Sequence, residues 1–111
     1  MLSDWFKTNK NIDDFADSIV ADLLKRFPPA DDDLPAKKAV ERIRKTHSAI
    51  LSRVTEFARS TRLSLYRKAR LANRVKWSLR EAGYPERFVE AFTHELAAVV
   101  AIVSRQERNP P

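Results

Sequence analysis

Between Ala36 and Ala82 the chain contains neither a glycine nor a proline, and its only glycine, Gly83, follows directly after that span. No residue there adopts left-handed backbone without strain, and none deletes a helical hydrogen-bond donor, so the stretch is suited to helix. The prolines stand at 28, 29, 35, 85, 110 and 111. They leave three long uninterrupted segments, and the apolar pattern decides how many helices these hold.

In the first segment Ile12, Phe15, Ala16, Ile19, Val20, Leu23, Leu24 and Phe27 recur at i, i+3, i+4 and i+7, the wide stripe of an amphipathic helix. Asn11 offers an N-cap, and Asp13, Asp14 and Asp17 suit the positive end of the helix dipole. A helix is therefore expected to begin at Asn11, after an aromatic lead-in at Trp5 and Phe6. The run "PPADDDLP" breaks the periodicity and reads as a loop, with Pro35 in the first turn of the next helix.

In the middle segment Val40, Ile43, His47, Ile50, Val54 and Phe57 form a three-four seam that fails at Thr61 and Ser64. Downstream the apolar face moves to Leu65, Ala69, Ala72, Val75 and Leu79, flanked by Leu71 and Ala82. The tripeptide "RST" at 59–61 offers a cap, so a turn or kink is expected near residues 59 to 63. Gly83 reads as a left-handed helix stop, and Pro85 with Glu86 opens a last helix. Its stripe is Val89, Phe92, Leu96, Val99 and Val103, widened by Phe88 and Val100, until "RQERNPP" ends it.

The expected fold is all-α: a small antiparallel bundle of about four helices in one domain, residues 1–111. The second and third helices are either separate or fused into one long kinked helix. Residues 1–10 and 106–111 are expected to be flexible. A chain of 111 residues supports one core, and it carries no strand candidate and no internal repeat.

Several functional classes find no support. A single glycine cannot build a phosphate-cradling loop, and the absence of cysteine removes disulfide and thiolate chemistry. His94 opens "HELAA", which has Ala98 where a zinc-binding H-E-x-x-H needs its second histidine. His47 lies in the seam, where a polar residue fixes register or bonds a neighbour; its neighbour Ser48 points about 100° away and makes no nucleophile pair. Asp31, Asp32 and Asp33 lack the alternating ligands, turn glycine and closing glutamate of a calcium loop. No enzymatic activity, cofactor or metal is expected. The longest apolar run, "LAAVVAIV" at 96–103, is far shorter than the ~20 residues of a membrane span. The start "MLSDWFKTNK" contains Asp4 and no apolar run, unlike a signal peptide, so cytoplasmic residence is the default expectation.

Charge carries the remaining signal. Residues 1–33 hold four cations against eight acids, residues 34–82 fourteen against three, and residues 83–111 three against four, within a chain of net charge +6. Between Glu56 and Glu81 lie eight cations and no acid. Drawn as one helix from 59 to 82, this stretch places Arg59, Arg62, Leu63, Tyr66, Arg67, Arg70, Arg74, Trp77 and Arg80 on the arc opposite the apolar residues.

Guanidinium groups bind phosphate oxygens and exposed rings stack on bases, so Arg59, Arg62, Tyr66, Arg67, Arg70, Arg74, Trp77 and Arg80 are the candidate contact residues for a polyanion, nucleic acid being the specific expectation. The alternative is a structural or adaptor protein whose same face forms a homo-oligomer or docks an acidic protein. In a purely structural version the rings cover another helix or subunit, while the arginines pair with Asp13, Asp14, Asp17, Asp22 or the acids at 31–33. The turn "EAGYPERF" joins two helices through a glycine as a helix-turn-helix does. The helix after it carries Glu86, Glu90 and Glu95 against Arg87, a charge that DNA phosphates would repel.

Overall fold

A computed structural model describes residues 2–29, 36–61 and 63–108. They form four helices, α1 (Leu2–Arg26), α2 (Ala36–Ser60), α3 (Leu65–Glu81) and α4 (Glu86–Arg108), and no strand occurs among the described residues. The helices pack as a bundle with contacts between α1 and α3, α2 and α4, α3 and α4, and α1 and α2. Direction follows from paired side chains. Phe15 stacks on Phe57 while Arg53 reaches Ser18 and Asp22, so α1 and α2 run antiparallel. Arg70 meets Asp13, Arg74 meets Asp17 and Tyr84 meets Phe27, a constant offset of 57 residues that places α1 and α3 side by side and parallel.

The break between α2 and α3 falls where the seam fails, so these helices are separate. The cap, however, is Ser64 rather than the Ser60–Thr61 pair. Its hydroxyl accepts from the Arg67 N–H at 3.2 Å, whereas the Ser60 hydroxyl bonds back to the Phe57 carbonyl and closes α2. At the other end of α3, Gly83 sits at φ +95°, the Gly83 N–H reaches the Arg80 carbonyl and the Tyr84 N–H reaches that of Leu79. This double bond pattern satisfies two orphan carbonyls and requires the left-handed conformation that glycine adopts without strain. The helix stop expected at Gly83 is present.

Helix α1 begins at Leu2, nine residues before the expected Asn11. Nothing between them breaks a helix, and Asn11 faces solvent, where a mid-helix asparagine costs only a few tenths of a kcal/mol. Helix α4 likewise runs on through Arg108.

The core joins Ile12, Ala16, Ile19, Val20 and Leu23 of α1, Ile50, Val54 and Ala58 of α2, Leu71, Val75 and Leu79 of α3, and Val89, Phe92, Leu96, Val100 and Val103 of α4. The side chains of Val40 and Ile43 lie outside the described residues. On α3 the buried centre is Leu71–Val75–Leu79, so Leu65, 84% exposed, and Ala69 are not core residues as the apolar arc suggested. The three bulky residues at i, i+4 and i+8 set the inward direction, and alanine, nearly neutral to exposure, gives a weak vote. Leu24 also reaches solvent.

Tyr84 is a core residue that the periodicity did not reveal. Its ring stacks on Phe88 with centroids 5.0 Å apart, and its hydroxyl donates to the Phe27 carbonyl at 2.6 Å, one of the orphan acceptors at the end of α1. Burial pushes its phenol from 10.0 up to about 12. The unfolded chain therefore releases this proton first. Stability from the buried neutral phenol is complete below pH 10 and is lost as pH rises toward 12, by about 2–3 kcal/mol. Tyr84→Phe is expected to lower stability by about 1 kcal/mol at pH 7 through the lost hydrogen bond, and to remove this alkaline decline. Urea melts at pH 7 and pH 11 check both.

Candidate functional site

Successive residues turn by about 100° on a helix, so Tyr66, Asn73 and Trp77 fall within about 40° of one another on the side of α3 opposite Leu71–Val75–Leu79. The expected outward direction of the two aromatic residues is observed: Tyr66 is 54% exposed and Trp77 58% exposed. Roughly 16 Å of helix separates them. Between them the small side chain of Ala69 and the amide of Asn73 leave a low floor, and an open groove of about 380 Å³ runs along it, edged by Arg70, Arg74 and Asp13.

Three arginines of this face are not free. Arg70 donates through Nε and Nη2 to the two carboxylate oxygens of Asp13, at 3.0 and 2.9 Å, and through Nη1 to the Tyr66 hydroxyl at 3.1 Å. One turn on, Arg74 makes the same bidentate pair with Asp17, both bonds 3.0 Å. The parallel 57-residue offset of α1 and α3 keeps both pairs in register. Hydrogen bonds from Arg70 hold the Asp13 carboxyl below its ordinary value, against a smaller opposing effect of burial. Arg80 stacks on the Trp77 ring, 5.0 Å from its centroid, and pairs with Glu86 across the α3–α4 turn. Each of these three guanidinium groups is thus anchored to a carboxylate of its own chain.

Of the eight sequence-predicted contact residues, Tyr66, Arg67, Arg70, Arg74, Trp77 and Arg80 share α3. Arg59 is exposed in the last turn of α2, not on the same helix, because Ser64 rather than Ser60 or Thr61 starts α3. Arg62 lies outside the described residues, as do Asp31, Asp32 and Asp33. Arg59 and Arg67 have no carboxylate at ion-pair distance among the described residues. Sequence reasoning missed Ala69 and Asn73 as part of the outer face; it did name Asp13 and Asp17 among the acids available to pair.

Elsewhere, His47 lies against the Phe92 ring with its Nε2 3.5 Å from a Glu95 carboxylate oxygen. No group of three or more His, Asp or Glu side chains suited to a metal ion occurs among the described residues. Among them, too, no helix is long and apolar enough to cross a membrane. No protein-family model matches the chain, and comparisons with curated proteins and with solved structures yield no match. The fold and site define an all-α bundle with one outward aromatic face bordered by internally neutralised arginines.

Proposed function

We propose that the chain is a non-enzymatic binding protein that docks a protein partner through the outer face of α3, with Tyr66 and Trp77 as anchors. The observation that carries this reading is the combination of two rings more than half exposed with three arginines already bonded to carboxylates. Aromatic and arginine side chains dominate the energetics of protein interfaces, and guanidinium groups held in place lose less freedom when a partner arrives. A phosphate backbone, by contrast, would have to displace Asp13 and Asp17 or lie beside their negative charge. Nucleic acid is retained as the second reading because of Arg59 and Arg67, which have no carboxylate partner among the described residues.

Two measurements separate rings that dock from rings that hold the fold together. Tyr66→Ala and Trp77→Ala should each change the unfolding free energy by no more than about 0.5 kcal/mol in urea titrations followed by circular dichroism, as exposed substitutions do. A loss of about 2 kcal/mol or more would assign the rings to the core instead. For the second reading, wild-type affinity for duplex DNA should fall with salt at a slope of about −1.8, that of two phosphates; a slope matching six or more would favour a polyanion partner.

A further inference from the structure

Resting on the docking reading, we propose that the occupant of the α3 face is a second copy of this chain, paired with it antiparallel about a two-fold axis that passes between residues 71 and 72. The spacing is self-complementary. In that register Tyr66 lies opposite Trp77 of the partner subunit at both ends of the contact, and the small Ala69 and Asn73 fill the middle, where the two helices approach most closely. The two Asn73 amides come within roughly 4.5 Å of each other along the helix axis. A single polar residue at the centre of such a contact fixes its register, and an isologous contact of this kind closes as a dimer rather than growing into a filament.

Charge argues for the same occupant. A chain of net charge +6 repels its own copy over most of its surface. On this face Arg70, Arg74 and Arg80 are each matched by a carboxylate of the same chain, which lowers the repulsion between two copies there, while Arg67 at its edge has no such partner among the described residues. An acidic partner would find those cations already satisfied, as would a nucleic acid. Because aromatic side chains cover 150–250 Å² each, the exposed parts of Tyr66 and Trp77 offer on the order of 200 Å² per copy. Two copies together thus supply about a fifth to a third of the roughly 1,200–2,000 Å² total of a stable interface; Ala69, Asn73 and the stems of Arg70 and Arg74 supply more. A weak dimer that forms only at high protein concentration is expected rather than an obligate one.

The chain has no cysteine, so introduced thiols report without interference. Asn73→Cys should oxidise to a disulfide-linked dimer at least tenfold faster than Ala101→Cys, which places a thiol on the exposed side of α4. In a Trp5→Phe background, Trp77 emission should be quenched freely by acrylamide at low micromolar protein and shift to the blue, with loss of quenching, at several hundred micromolar. Equal oxidation rates, with Trp77 accessible at every concentration, would overturn self-pairing and leave the docking reading standing. A Trp77 already protected at high dilution would overturn both, since the ring would then be covered by its own chain.

Discussion

Phe92→Ala is expected to lower the unfolding free energy by about 3–5 kcal/mol, the range for truncating a large aromatic residue in a packed core. Phe92 is buried where α4 meets α2, with the rings of Phe88 and His47 centred 5.9 and 5.6 Å away. Removing it deletes the transfer energy of the ring and leaves a void that rigid helix backbones on several sides close only in part. Domains of this size are stable by about 5–15 kcal/mol in all, so the variant should lose about a fifth or more of its stability. Urea denaturation followed at 222 nm measures it, with Ile102→Ala, a truncation on the exposed side of α4, as the comparison expected to stay within about 0.5 kcal/mol. A Phe92→Ala midpoint as close to wild type as that of Ile102→Ala would mean that the α2–α4 contact is not part of the cooperative core.

The residues around Phe92 show what the sequence discloses. Leu96, Val100 and Val103 repeat with the period of a helix, and Gly83–Pro85 encodes a helix boundary in the backbone chemistry of two residues, so both are legible without tertiary information. The start of α1 is not, because Asn11 is equally acceptable as a cap and as an exposed residue inside a longer helix; the packing of the bundle decides between them. Nor is the choice of Ser64 over Ser60 as the cap of α3, since serine hydroxyls bond back to a preceding carbonyl as readily as forward to an N–H. Tyr84 carries a local signal that periodicity misses: the second residue after a helix end, following a left-handed glycine, commonly packs against the last turn.

The candidate face divides the same way. Its aromatic direction could be read from Tyr66 and Trp77, because an 11-residue separation brings two side chains within about 20° on a helix. Its electrostatic state could not. Asp13, Asp14, Asp17 and Asp22 are all near enough in composition to neutralise α3, and only the parallel registration of α1 against α3 selects Asp13 for Arg70 and Asp17 for Arg74, leaving Asp22 to Arg26 and Arg53. Arg70, Arg74 and Arg80, three of the eight cations in the basic run, thus stand beside carboxylates in the folded protein.

Releasing those two arginines should convert the face into a polyanion binder. The double variant Asp13→Asn with Asp17→Asn keeps the side-chain shapes, removes two negative charges beside the groove and frees two guanidinium groups for phosphate oxygens. Each added phosphate contact steepens the salt dependence by about 0.9, so the log–log slope for duplex DNA should grow by about 1.8. The gain over wild type should therefore be about tenfold larger at 50 mM than at 200 mM salt. The fold should survive, because partly exposed ion pairs contribute about 0.2–1 kcal/mol each. Acid does not substitute for the mutation at ordinary pH. The Asp13 carboxyl lies below its usual 3.8, so the stability from this pair is complete above about pH 4 and disappears only as pH falls through the lower native value. The same variant should also slow disulfide formation through a cysteine at position 73, since two copies would now meet through unneutralised arginines. Fluorescence anisotropy with labelled DNA, run beside the cross-linking assay, reads both effects. Unchanged DNA affinity together with unchanged cross-linking would show that Asp13 and Asp17 do not govern what this face accepts.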